Sequence, residues 1–240
     1  MRILLILLLT LALSNSNADE IFNLIKIPNL EIYKIKTKNG LKYLNAKKDF
    51  KIGFENNISC KKSNKQKLIK KFNIINKNLQ KYDYNFLNKI NLRFIVMCEN
   101  LLISGINTGG IPDHNKRTLI LDLNFPEKYF ERVIHHEVFH IIHDTYKNMF
   151  YQKTWEKFNK ENFKYAECST CSNRLGLDLY EKTNGFFTEY SKSIASEDMA
   201  EVYSFIIIDN TIVEKKIKLD PVLLNKVKYI KNRINKIKNF

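Results

Sequence analysis

The chain is 240 residues long, carries a formal net charge of +15 and contains four cysteines and five histidines. Its lysines are scattered among asparagines and isoleucines, as in Lys61-Lys62-Ser63-Asn64-Lys65, and arginine, the usual residue for bidentate phosphate and base contacts, is scarce. The charge therefore reads as the bias of AT-rich codons, which argues against a nucleic-acid function, and the length suits one domain with a sizeable core.

From the N-terminus, Arg2 precedes an apolar run over residues 3–13, followed by Ser16-Asn17-Ala18. That order reads as a secretory signal peptide over residues 1–18, too short to span a bilayer, which needs about 20 residues. No cysteine follows the run, so a lipid anchor is not expected, and no later stretch is apolar enough for a transmembrane helix. The mature chain, residues 19–240, is expected to be a single soluble domain, exported to a periplasm or beyond the cell. Cys60, Cys98, Cys168 and Cys171 are then available for disulfides. Three pairings are possible; Cys60 with Cys98 and Cys168 with Cys171 are favoured.

Residues 31–36 and 41–44 alternate apolar and polar around Asn39-Gly40, which predicts a β-hairpin. Leu68, Phe72, Ile75 and Leu79 recur at helical spacing within residues 65–82. Residues 92–97 read as a strand, residues 104–110 and Pro112-Asp113 as a loop, and residues 118–123 as a second strand. A helix is expected from Pro126-Glu127 to about Tyr146, because proline suits a first helical turn. Residues 148–190 look irregular apart from a short helix around Trp155. Another helix is predicted over residues 196–208, with Ser196 as its cap and acidic residues in its first turn. The C-terminal stripe of Leu223, Val227, Ile230, Ile234 and Ile237 predicts a helix docked on the core.

Four of the five histidines fall in the run His135-His136-Glu137-Val138-Phe139-His140-Ile141-Ile142-His143. Within it, His136, Glu137 and His140 form H-E-x-x-H. Residues four apart share a helix face, so two imidazoles can grip one zinc ion while Glu137 faces its open position and takes a proton from bound water. A hydrolytic zinc needs a third protein ligand. His143 shares the face, but at about 1.5 Å rise per residue it lies roughly 10 Å from His136 along the axis. His135 is rotated by about 100° and should point away. His114 sits in a loop before the helix. The remaining candidates are the carboxylates of residues 197–201. Glu197 and Glu201 are one turn apart; one can bind the metal and the other can accept the free N–H of a ligating histidine. Ala200 between them is small enough to let the two helices approach.

H-E-x-x-H followed by a glutamate-bearing helix resembles the gluzincin metallopeptidases. Tyr190, Glu197 and Glu201 reproduce the spacing of their anthrax lethal factor and Pro-Pro endopeptidase branch. Residues 185–201 with the histidine run also resemble bacterial "putative zinc-binding metallopeptidases". The likeness covers about residues 105–205. It implies an α+β, zincin-like fold, a small mixed sheet packed on the H-E-x-x-H helix and the following glutamate helix. It implies Zn2+ ligated by His136, His140 and Glu197, with Glu137 as general base, Tyr190 stabilising the oxyanion and Glu201 orienting His136. The strand at residues 118–123 would be the edge strand that pairs with an extended substrate. The resulting expectation is an exported, monomeric zinc peptidase acting on a peptide or protein; the alternative is a zinc-containing binding protein that has lost catalysis. The 57-residue separation of His140 and Glu197 departs from the pattern, so the cleft wall does not transfer.

Overall fold

A computed structural model describes residue 21 and residues 25–239. The expected signal peptide at residues 1–18 lies outside the described residues. The protein is α+β, with a mixed sheet and, among the described residues, seven α-helices. The described residues divide into two compact units: those up to residue 71 with 92–124, and 72–91 with 125–239.

The first unit holds an eight-stranded sheet, larger than the small sheet expected from the sequence. The predicted hairpin forms from β1 (Leu30–Lys34) and β2 (Lys42–Ala46), antiparallel, with Gly40 at φ 77° in the connecting turn. Two short strands, β3 (Phe50–Ile52) and β4 (Ile58–Lys61), were not evident in the sequence because each has too few residues for alternation to stand out. The long central strand β5 (Phe94–Ile103) extends well past residue 97, where the sequence suggested it would stop. It runs parallel to β2 and to β8 (Thr118–Asp122), and antiparallel to β4 and to the short β6 (Ile106–Asn107).

One expectation fails here. β8 is not an edge strand. It lies between β5 and β7 (Gly110–Asp113), with all five residues buried. The outer position belongs to β7, read from sequence as loop because of its proline. Pro112 lacks an N–H to donate, a loss that an outermost strand tolerates. Cys60 of β4 and Cys98 of β5 are disulfide-bonded, with Cα atoms 6.0 Å apart. Around them lies an apolar core that includes Leu44, Phe50, Phe94, Val96, Leu101 and Ile120.

The second unit is helical. It takes in the C-terminal turns of α1 (Lys65–Leu79), then α2 (Tyr84–Lys89), α3 (Glu127–Thr145), α4 (Gln152–Glu156), α5 (Ala195–Ile208), α6 (Asn210–Ile217) and α7 (Pro221–Asn239). In α3 the residues Phe130, Ile134, Val138, Phe139, Ile141 and Ile142 are all fully buried. Each such side chain contributes roughly 1.5–3 kcal/mol by leaving water, which sets the face that α3 turns inward. α3 packs along α5, where Ala200 is fully buried and adds no bulk. The α7 stripe Leu223, Val227, Ile230, Ile234 and Ile237 is buried, and α7 packs on α5 and α6.

The predicted cap of α5 is not made. The capping position is Ile194, and Ser196 lies inside the first turn. The first-turn Asp198 is fully buried rather than solvated beside the helix end. No described helix is long and apolar enough to cross a membrane.

Candidate metal centre

α3 places His136 and His140 one turn apart on the face it turns toward α5, and α5 presents Glu197 to both. The Nε2 atoms of the two imidazoles are 3.1 Å apart. Glu197 Oε2 lies 2.8 Å from His136 Nε2 and 3.3 Å from His140 Nε2. The ligand atoms of all three residues fall within 4.8 Å of one another. Two imidazole nitrogens and a carboxylate oxygen converge at a largely buried point, an arrangement of electron pairs that calls for a cation. Donors of N, N and O type suit zinc, and three protein ligands leave a fourth position open. The residues present therefore fit the ion.

The electrostatics agree with a cation-seeking cluster. Burial opposes ionisation of Glu197, yet His140 and His136 outweigh it and hold the carboxyl well below the usual range. Burial likewise disfavours a charged His136, but hydrogen bonds to Glu197 and Glu201 push its pKa up to about 10. Glu137 is buried beside the same group, and desolvation raises its pKa to about 7 against the pull of His136 and His140. Tyr190 stands with its ring 5.9 Å from that of His136. Burial, with the carboxylates of Glu197 and Glu137, pushes its hydroxyl up, so it stays a proton donor.

Glu201 lies one turn further along α5 and is 2 % exposed. Its Oε1 is 3.0 Å from His136 Nδ1. A carboxylate only accepts, so Nδ1 carries a proton toward Glu201, and Nε2, which faces Glu197 and His140, is the nitrogen at which a metal ion would take the place of a proton. The opposite oxygen, Oε2, accepts from Arg132 Nη1 at 2.7 Å and from the Thr188 hydroxyl at 2.8 Å.

The other histidines are elsewhere. His135 is fully buried on a different side of α3, with Tyr82 Oη 2.5 Å from Nδ1 and Asn78 Oδ1 3.0 Å from Nε2. Burial lowers its pKa to about 3, so it is a neutral core residue. His143 packs its ring against Phe139 and Phe150. His114 is not part of the group that could hold a metal ion.

Two contributors were missed in the sequence. Arg132 precedes His136 by four residues, a spacing that puts it on the same helix face and was the signal available. Thr188 gave no signal, because it reaches Glu201 from an irregular segment. Asp198, among the carboxylates the sequence offered as ligands, lies outside the group that could hold a metal ion and is engaged by three other side chains. Its Oδ2 accepts from Trp155 Nε1, Tyr165 Oη and Lys226 Nζ at 2.8, 2.6 and 2.6 Å. The loop between α4 and α5 contains the second disulfide, Cys168–Cys171.

A family model described as "putative zinc-binding metallo-peptidase" matches residues 113–236. Among solved structures, the chain is similar to a protein of the same description from Bacteroides caccae ATCC 43185, with 19% identity over 72% of this chain and 77% of that one and a TM-score of 0.42. A search of curated proteins finds no match.

Proposed function

The chain belongs to the zinc-binding metallo-peptidase family whose model it matches, and on that premise we propose that it hydrolyses peptide bonds with one zinc ion held by His136, His140 and Glu197. The observation that carries the proposal is the convergence of those three side chains within 4.8 Å on two packed helices. The helix pair also supports a zincin-like reading of the fold.

Zinc bound there supplies Lewis acidity, which lowers the pKa of water and polarises a carbonyl. The side chains do the rest. Glu137 stands beside both histidines, and its raised pKa suits a group that must both take and return a proton near neutrality. It accepts a proton from the attacking water, whose oxygen bonds to the scissile carbon. It then delivers that proton to the leaving nitrogen as the C–N bond breaks. Tyr190, held protonated, donates a hydrogen bond to the carbonyl oxygen as negative charge builds there. Glu201 keeps His136 in the tautomer that leaves Nε2 free for the metal.

Export is part of the same proposal, supported by the N-terminal sequence pattern and by the two disulfides, which suit an oxidising compartment. The test is Glu137→Gln. Purified variant protein is expected to hold zinc in the same ratio as the wild type and to cleave no member of a peptide library that the wild type cleaves. Retained cleavage by the zinc-loaded variant overturns the role of Glu137.

A further inference from the structure

Three residues of α3, spaced by fours, face two residues of α5, also spaced by four. Glu197 bridges His136 and His140. Glu201 bridges Arg132 and His136. Residue 132 pairs with 201 while 140 pairs with 197, so the helices run antiparallel and each carboxylate spans two rungs of one ladder. Only the rungs occupied by histidine can hold a cation. The Arg132 rung is closed by a fixed positive charge.

From this geometry, and resting on the zinc reading above, we infer that Arg132 and Thr188 are positioning residues for the metal, acting through Glu201. Both oxygens of Glu201 are committed. Oε1 takes the Nδ1–H of His136, and Oε2 takes Arg132 and Thr188. Glu201 is therefore kept from swinging toward the ion and becoming a ligand itself. The Thr188 hydroxyl has one proton and gives it to Glu201, while its oxygen accepts the Ser191 N–H at 3.1 Å.

Arginine suits this rung and lysine does not. The guanidinium reaches two acceptors in fixed directions: Nη1 to Glu201 at 2.7 Å and Nη2 to the Leu177 carbonyl at 2.7 Å. Its Cζ lies over the Phe205 ring, 4.8 Å from the ring centre. Arg132 is 7 % exposed, so the pair with Glu201 is shielded from solvent and its geometry is held by packing as well as charge. Loss of Arg132 leaves Glu201 oriented only by Thr188 and His136. Groups that hold a ligating histidine typically govern metal affinity by about 10–100-fold.

The test measures zinc affinity of the full chain by competition with a chelator at fixed pH. Arg132→Met and Glu201→Gln are each expected to bind zinc at least tenfold more weakly than the wild type, and Thr188→Val more weakly by a smaller factor. In the double variant Arg132→Met/Glu201→Gln the losses are expected not to multiply, because the arginine acts through the glutamate. The visible bands of the cobalt(II)-loaded single variants are expected to shift in the same direction, with no further shift in the double variant. Unchanged affinity in Arg132→Met, or losses that multiply, overturns the inference. Should Arg132→Met fail to fold, Thr188→Val decides alone, since it exchanges a hydroxyl for a methyl of similar shape; unchanged affinity there overturns it. A wild-type chain that takes up no zinc overturns the proposed function along with the inference. Zinc uptake without cleavage overturns only the peptidase reading.

Discussion

Glu197 and Glu201 are the same side chain one turn apart on one helix, yet their neighbours give them different work. Glu197 faces two imidazole nitrogens and the Tyr190 hydroxyl, with no lysine or arginine paired to it among the described residues. Glu201 is already paired with Arg132 and Thr188. Glu197→Gln should therefore lose most of its zinc, as elemental analysis of purified protein would show. His143→Ala should keep a full complement, since that ring packs on Phe139 and Phe150 instead. Tyr190→Phe tests the remaining role. It is expected to lower kcat by about a hundredfold, leave KM nearly unchanged and keep zinc, as removal of one oxyanion donor does elsewhere. A proportionate rise in KM with constant kcat would assign Tyr190 to substrate binding. At this scale the sequence was informative where spacing along one helix decides geometry. His136 and His140 sit four apart, and the rise and rotation per residue set His143 and His135 apart from them. Arg132 offered only its four-residue spacing from His136, which places it on the face but does not give its partner, and Thr188 offered nothing, because Glu201 is supplied by a helix distant from Arg132 and Thr188 lies in an irregular segment.

α5 is fixed at its first turn by more than its packing on α3. Asp198 is wholly buried with Lys226 of α7, Trp155 of α4 and Tyr165. Burial raises the Asp198 pKa and lowers that of Lys226, each against the opposing charge of its partner. Removing one member leaves a buried charge without its counterpart, which costs about 3–5 kcal/mol. Lys226→Met should therefore lower the urea midpoint strongly, and Asp198→Asn/Lys226→Met should lower it less than Lys226→Met alone. If the double variant is the less stable, the pair is not acting as a charge pair. The start of α7 offers a pH test. Asp220 Oδ1 caps the helix through Leu223 N, and Oδ2 accepts from Thr183 Oγ1 and Gly185 N. Burial opposes its ionisation, but these bonds and Lys226 outweigh it and hold its pKa below 3.8. A depressed acid stabilises the fold above its unfolded pKa, and the gain is lost as pH falls through the folded value. Asp220→Asn should therefore narrow the difference in stability between pH 7 and pH 3; an unchanged difference would contradict this. The α7 stripe was readable from its period, and Asp220-Pro221 is an apt helix start. The Ser196 cap was misread, because an acidic first turn looks the same whether it meets solvent or a buried lysine.

Across the molecule, the sheet was only partly visible in the sequence. The hairpin of β1 and β2 announced itself through alternation and Asn39-Gly40, whereas β3 and β4 are too short and β7 is disguised by Pro112. The strand order that gives β8 a neighbour on each side depends on long-range pairing that no local pattern encodes. The Cys60–Cys98 disulfide ties β4 to β5 across a separation of 38 residues. Closing a loop of that length stabilises by about 4 kcal/mol in the chain-entropy view. Cys60→Ser/Cys98→Ser should lower stability by an amount of that order, measured by denaturant unfolding. Loss below about 1 kcal/mol would show that the strands hold their register without the bond. The central claim is that one zinc ion is held between α3 and α5. It is met most directly by a crystal structure of the zinc-loaded chain with anomalous data at the zinc edge. The expected result is one ion at about 2.0–2.2 Å from His136 Nε2, His140 Nε2 and a Glu197 oxygen, with a fourth position open to solvent or substrate. An ion bound elsewhere, an ion ligated by Glu201 in place of Glu197, or no ion at all would contradict it.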